Sequence, residues 1–131
     1  MKADNILILA VAAVIAFMGW MALGPDSKPG ASASTSVDLR LAVASGKPVL
    51  VDFYADWCGP CQSMKPVVHE LASELNGRLQ VVEINVDQQP AAAQEYNVHG
   101  IPCFVLLKNG KEAGRQVGAS PKPVLRQLTG L

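Results

Sequence analysis

The sequence predicts an α/β domain, a four-stranded mixed sheet flanked by helices, preceded by an apolar segment long enough to span a membrane. Three patterns carry this expectation. Strand-like β-branched runs alternate with helical-period segments over residues 37–131, an Asn-Gly dipeptide joins the last two strand-like runs, and the 18 residues Ile6 to Leu23 carry no charge.

Taken in order, Val37 to Ser45 sets Val37, Leu41 and Ala44 at helical spacing and ends at Gly46, a glycine C-cap. Lys47-Pro48 opens Val49-Leu50-Val51-Asp52-Phe53-Tyr54, a run typical of a buried parallel strand. From Gly59 to Asn76, residues Met64, Val67, Val68, Leu71, Ala72 and Leu75 trace one helix face, with Gly77 as its cap and Pro66 as an expected kink. A strand over Leu79–Val86, a short helix around Ala91–Tyr96, and strands over Cys103–Leu107 and Glu112–Val117 follow. Lys108-Asn109-Gly110-Lys111 between the last two is a hairpin signal. A closing helix after Pro121 is expected to bury Val124, Leu125, Leu128 and Leu131. A right-handed βαβ crossover followed by an antiparallel hairpin makes the mixed sheet.

The apolar run covers about 27 Å as a helix, close to the thickness of a bilayer core. Residues 1–23 therefore read as a membrane anchor or a signal sequence. Ala31-Ser32-Ala33, the best small-x-small site, lies well past the run, which favours a retained anchor over a cleaved signal. Lys2 and the α-amino group, offset by Asp4, give a small positive bias on the N-terminal side. The simplest topology is a short cytoplasmic tail with residues 37–131 in the periplasm or cell exterior of a bacterium; on the cleaved alternative the domain is secreted. Residues 24–36, GPDSKPGASASTS, read as a flexible linker of roughly 20 Å reach.

Acidic and basic residues number 11 each over the chain, and balance again from Val37 onward, so no basic face remains for nucleic acid. The chemistry lies in Trp57-Cys58-Gly59-Pro60-Cys61, at the end of an expected strand and the start of an expected helix. Free N–H groups and the helix dipole at that point stabilise a thiolate at Cys58. Cys61, one turn on, can reach Cys58 and close a small disulfide ring, so Cys58 attacks and Cys61 resolves. Half of a zinc site has the same spacing, but Cys103, His69 and His99 offer no second pair, and no metal is expected. His69 and His99 read as surface or rim residues, His99 close enough to the Gly-Ile-Pro turn to meet a substrate.

The stretch VLVDFYADWCGPCQSMKPVVHEL, followed by EINVDQQP, YNVHGIPCFVLLKNGK and VGA, resembles the thioredoxin family over nearly all of residues 47–131. The resemblance implies the thioredoxin fold, a cis Ile101-Pro102 peptide beside the disulfide, and no cofactor. It implies a substrate groove of Trp57, Gly59, Pro60, Ile101, Pro102 and the Val117-Gly118-Ala119 loop. Asp52 would be the family's buried carboxylate behind the cysteines, its proton affinity raised by burial so that it exchanges a proton with Cys61.

Three departures stand out. The family's first strand has no counterpart before Pro48. Glu83 replaces a lysine common in bacterial relatives, and a second acid there would raise the proton affinity of Asp52 further. Cys103 follows the cis proline where threonine is usual. It reads as a small buried hydrophobe, with an accessory redox thiol as the sharper alternative.

Gly59-Pro60 between the cysteines favours a protein-disulfide reductase over a periplasmic thiol oxidase or disulfide isomerase. Its partners would be disulfide-containing proteins and an electron source, either a membrane-embedded donor or a thioredoxin reductase. A non-catalytic client-binding or chaperone module is the rival from another class, and the intact cysteine pair with Asp52 and Pro102 weighs against it.

Overall fold

The structure, a computed structural model, describes residues 32–131. It contains α1 (Ser32–Ala44), β1 (Val49–Tyr54), α2 (Gly59–Glu74), β2 (Gln80–Asn85), α3 (Pro90–Glu95), β3 (Cys103–Lys108), β4 (Lys111–Val117) and α4 (Lys122–Thr129). The strands form one mixed sheet in the order β2-β1-β3-β4. β1 runs parallel to β2 and antiparallel to β3, and β3 runs antiparallel to β4. The expected βαβ unit plus hairpin is therefore what forms.

β1 and β3 are buried on both faces, which is why they are apolar almost throughout. Alternation sends Val49, Val51 and Phe53, with Cys103, Val105 and Leu107, to one face, where Leu39, Val43, Ala92 and Tyr96 of α1 and its neighbour α3 cover them. Leu50, Phe104 and Leu106 point the other way into Met64, Val68, Leu71 and Leu75 of α2 and Leu125 of α4. Phe53 and Phe104 are fully buried, one on each face. Each contributes about 1.5–3 kcal/mol of transfer free energy.

Asn109 and Gly110 both take positive φ, 53° and 75°, the mirror-image turn whose twist matches a two-residue hairpin. The β3–β4 ladder shifts register between Leu106 and Leu107, with Ala113 as the extra residue. Next to it, a Cβ on Gly114 would stand 2.7 Å from Leu128 Cδ1, so α4 packs where a side chain is missing.

Several expectations are corrected. Helix α1 begins at Ser32, so Ser32–Ser36, expected as the end of the linker, belong to a helix. Its buried stripe is Leu39, Ala42 and Val43, whereas Leu41, expected inward, is 65 % exposed. Gly46 does take the left-handed conformation that closes the helix, at φ 73°. In α4, Leu125 is buried while Val124 is largely exposed, and Thr129 is buried in its place. Helix α2 holds Pro66 within its length and ends at Glu74 with Leu75 as its C-cap, short of the expected Gly77. The span expected over residues 6–23 and the first part of the linker lie outside the described residues. Among those described, no helix is long and apolar enough to cross a membrane.

Among the described residues no strand precedes β1, and β2 is an edge strand. Gln80 and Val86 direct their N–H groups at Pro48 and Tyr54 on the β1 side. Alternation then turns the backbone groups of Val81 and Glu83 outward.

Candidate active site

The loop from β1 to α2 makes Cys58 the N-cap of α2, with Pro60 in the first turn, where no intrahelical acceptor is needed. Cys58 and Cys61 form a disulfide, S–S 2.12 Å with Cα atoms 5.3 Å apart, at 5 % and 1 % exposure. The backbone N–H of Cys61 donates to Cys58 Sγ at 3.2 Å. On reduction this donor and the positive end of α2 face the sulfur of Cys58, the setting that lowers a thiol's proton affinity. Cys61 lies deeper, in the first turn of α2.

Ile101 packs with Ala55 against the two cysteines, and its peptide bond to Pro102 is cis. Pro102 O accepts from Gly118 N–H at 2.8 Å, joining the cis-proline turn to the loop after β4. Trp57 is 72 % exposed, Gly59 and Pro60 are exposed, and Val117 is exposed beside Gly118. The residues expected to form a groove thus gather around the one edge of the disulfide that reaches the surface.

Beneath α2, Asp52 on β1 is 1 % exposed, with no hydrogen-bond partner at Oδ1. Burial pushes its carboxyl up from 3.8 to about 7; the negative charge of Glu83 adds to this, and Lys65 and His69 on α2 oppose it. Glu83 is the direct neighbour of Asp52 in the β1–β2 register. Cys103 is elsewhere: paired with Phe53 across the ladder, it lies in the cluster under α1 and α3, 1 % exposed, and burial pushes its thiol up. His99 is exposed and His69 is a surface residue of α2.

Sequence reasoning missed the supports of the site. Trp57 Nε1 donates to Asp87 Oδ2 at 2.7 Å, and Asn85 Nδ2 donates to Asp56 Oδ2 at 3.1 Å, while Asn85 Oδ1 accepts the N–H of Asp87. The loop after β2 therefore braces the loop carrying Cys58. Arg115 on β4 donates to the carbonyls of Tyr96 and Asn97 and pairs with Glu112, fixing the corner that leads to the cis proline. The one available signal was Asn85, a buried polar residue ending an apolar strand.

A solvent-edge disulfide at a helix N-terminus, with a cis proline beside it and a buried carboxyl beneath the helix, defines a thiol–disulfide oxidoreductase, and relatives of known identity agree. Residues 33–129 match the Thioredoxin family model. The chain is 52 % identical over 80 residues to Thioredoxin 1 of Chlorobaculum tepidum, covering 61 % of this chain and 79 % of the relative. It is 45 % identical over 83 residues to Thioredoxin 1 of Nostoc sp., covering 63 % and 78 %. Among solved structures, Fasciola hepatica thioredoxin superposes with a TM-score of 0.67 at 37 % identity, covering 72 % of this chain and 91 % of that one. Mitochondrial thioredoxin 3 of Saccharomyces cerevisiae in its oxidised form gives 0.65 at 32 % identity, covering 73 % and 90 %. The chain belongs to the thioredoxin family, has the thioredoxin fold and is a protein-disulfide reductase that acts on disulfide-containing substrates.

Proposed function

We propose that the domain reduces protein disulfides at the outer face of the bacterial cytoplasmic membrane, held there by residues 6–23 and receiving electrons from a membrane-embedded donor or a thioredoxin reductase. The chemistry rests on one observation, Cys58 as the N-cap of α2 with the Cys61 N–H on its sulfur. In the reduced domain the Cys58 thiolate attacks one sulfur of the substrate disulfide. That S–S bond breaks, one substrate sulfur leaves as thiolate, and a mixed disulfide forms. Cys61 then attacks Cys58 Sγ while its proton passes to Asp52, and the second substrate thiolate leaves. The Cys58–Cys61 disulfide remains, and the donor must return two electrons. Trp57, Gly59, Pro60, Ile101, Pro102 and Gly118 hold the extended substrate.

The length of the uncharged run and the Gly/Pro/Ser-rich stretch after it support the location. Reduction of insulin by dithiothreitol tests the activity: wild type accelerates it and Cys58→Ser does not, whereas equal rates would return the chain to a binding module. The potential of the couple tests the direction, with about −270 mV expected and a value near −120 mV indicating an oxidase. Protease treatment of spheroplasts making the full chain should remove the domain from an otherwise membrane-bound protein. Recovery in the cytosolic fraction would overturn the location, and recovery in the periplasmic fluid would select the cleaved form.

A further inference from the structure

The surroundings of Asp52 contain a pair of groups that the reaction above leaves unused. Asp52 and Glu83 are register partners on adjacent parallel strands, so both carboxyls stand on the same face of neighbouring backbones about 4.8 Å apart. Asp52 is enclosed and Glu83 reaches the rim, with its side chain 31 % exposed. There Glu83 Oε1 meets His69 Nε2 at 3.2 Å, and the imidazole projects into solvent at 64 % exposure.

The remaining charges near Asp52 are few. Lys65, one turn before His69 on α2, places its Nζ over the Tyr54 ring, 4.1 Å from the centroid. β3 offers Phe104 as the register partner of Asp52, and Cys103 next to it turns to the opposite face. On α4, Lys122 and Arg126 are engaged with Glu70 and Glu74. Glu83, Lys65 and His69 are the charged groups acting on Asp52, and His69 is the one in contact with Glu83.

We propose that His69 and Glu83 are a positioning pair for the proton on Asp52, the charge of the imidazole deciding how strongly Glu83 holds that proton in place. This rests on the reading of Asp52 as the proton partner of Cys61. With His69 neutral, Glu83 acts as a full negative charge beside the buried carboxyl and keeps it protonated. With His69 protonated, the pair is close to neutral and Asp52 gives up its proton more readily.

Carbon-13 NMR of the Asp52 carboxyl in the reduced full chain, in detergent, tests the pair. Glu83→Gln is expected to lower the titration midpoint by about one pH unit. His69→Gln is expected to raise it, because the cationic partner that offsets Glu83 is lost. Midpoints unchanged in both variants would overturn the proposal. In parallel, Cys58 is loaded with 5-thio-2-nitrobenzoate, and release by Cys61 is followed against pH. If the acid limb of the rate moves with the NMR midpoint, both readings hold. If the midpoint moves and the rate does not, the pair stands and the role of Asp52 toward Cys61 falls.

Discussion

Each face of the sheet buries one titratable side chain to the same 1 % exposure, Asp52 toward α2 and α4, Cys103 toward α1 and α3. Burial raises the proton affinity of both. What separates them is company. Asp52 stands beneath α2 among Glu83, Lys65 and His69, and its carboxyl is brought to about 7, where a proton can be both accepted and given. Cys103 lies among Phe53, Val105 and Leu107, with Arg115 only partly opposing the desolvation, so it stays a protonated thiol and a poor nucleophile. Burial alone marks core; burial with charged groups at the rim marks the carboxyl proposed here as the proton partner of Cys61.

The largest effect that would test this contrast is on stability. In the oxidised protein Asp52 binds its proton more tightly folded than unfolded. Below about pH 3.8 it is protonated in both states and costs nothing; through the window from 3.8 to about 7 the cost of burying its charge grows, and above 7 it is constant. Asp52→Asn should therefore stabilise the oxidised domain at pH 8 by an amount on the order of 4 kcal/mol, with the gain fading toward pH 4, as read from urea unfolding at both pH values. A pH-independent gain would mean that the carboxyl is not held near 7. The same variant should slow release of the mixed disulfide about tenfold or more, measured with the thionitrobenzoate adduct.

On the opposite face, Cys103→Ser places a hydroxyl in a hydrocarbon cluster and should cost about 1–3 kcal/mol in urea unfolding, whereas Cys103→Ala should leave insulin reduction and its sensitivity to peroxide unchanged. Faster peroxide inactivation in wild type than in Cys103→Ala would make Cys103 an accessory thiol and erase the contrast. Gly114→Ala brings a methyl group against Leu128 Cδ1, the far end of a half-buried side chain that can turn aside, and should cost no more than about 1 kcal/mol by thermal unfolding, although neither buried group is touched. The smallest effect is expected at α1: Leu41→Ala should change stability by no more than about 0.5 kcal/mol, and Val43→Ala by about 1 kcal/mol.

Much of this was legible in the residues. β1 was read with its observed limits, and β2, β3 and β4 within a residue at each end, because runs such as Val49–Tyr54 are buried on both faces and bounded by Pro, Gly or Asn. The cysteine pair and Asp52 were legible for a similar reason, being chemistry set in a local frame. The α1 stripe was not: in Leu39-Arg40-Leu41-Ala42-Val43-Ala44 two apolar stripes compete, and the strand beneath chooses between them. Asp87, Asn85 and Arg115 were missed because their partners lie 30, 29 and 18–19 residues away, a distance at which spacing carries no signal. His69 looked like a plain surface residue because its partner Glu83 belongs to another element.

Among the described residues no strand pairs with the outer side of β2, which α1 flanks through Asp38, Leu41 and Ser45. Its outward N–H and C=O groups at Val81 and Glu83 are a template on which a second extended chain can add. Two copies meeting there antiparallel would bring their Glu83 carboxylates toward one another in the middle of the new ladder. Carboxylates so placed would oppose self-pairing, and Glu83→Gln is expected to raise the dimer fraction at high concentration, as read by sedimentation equilibrium.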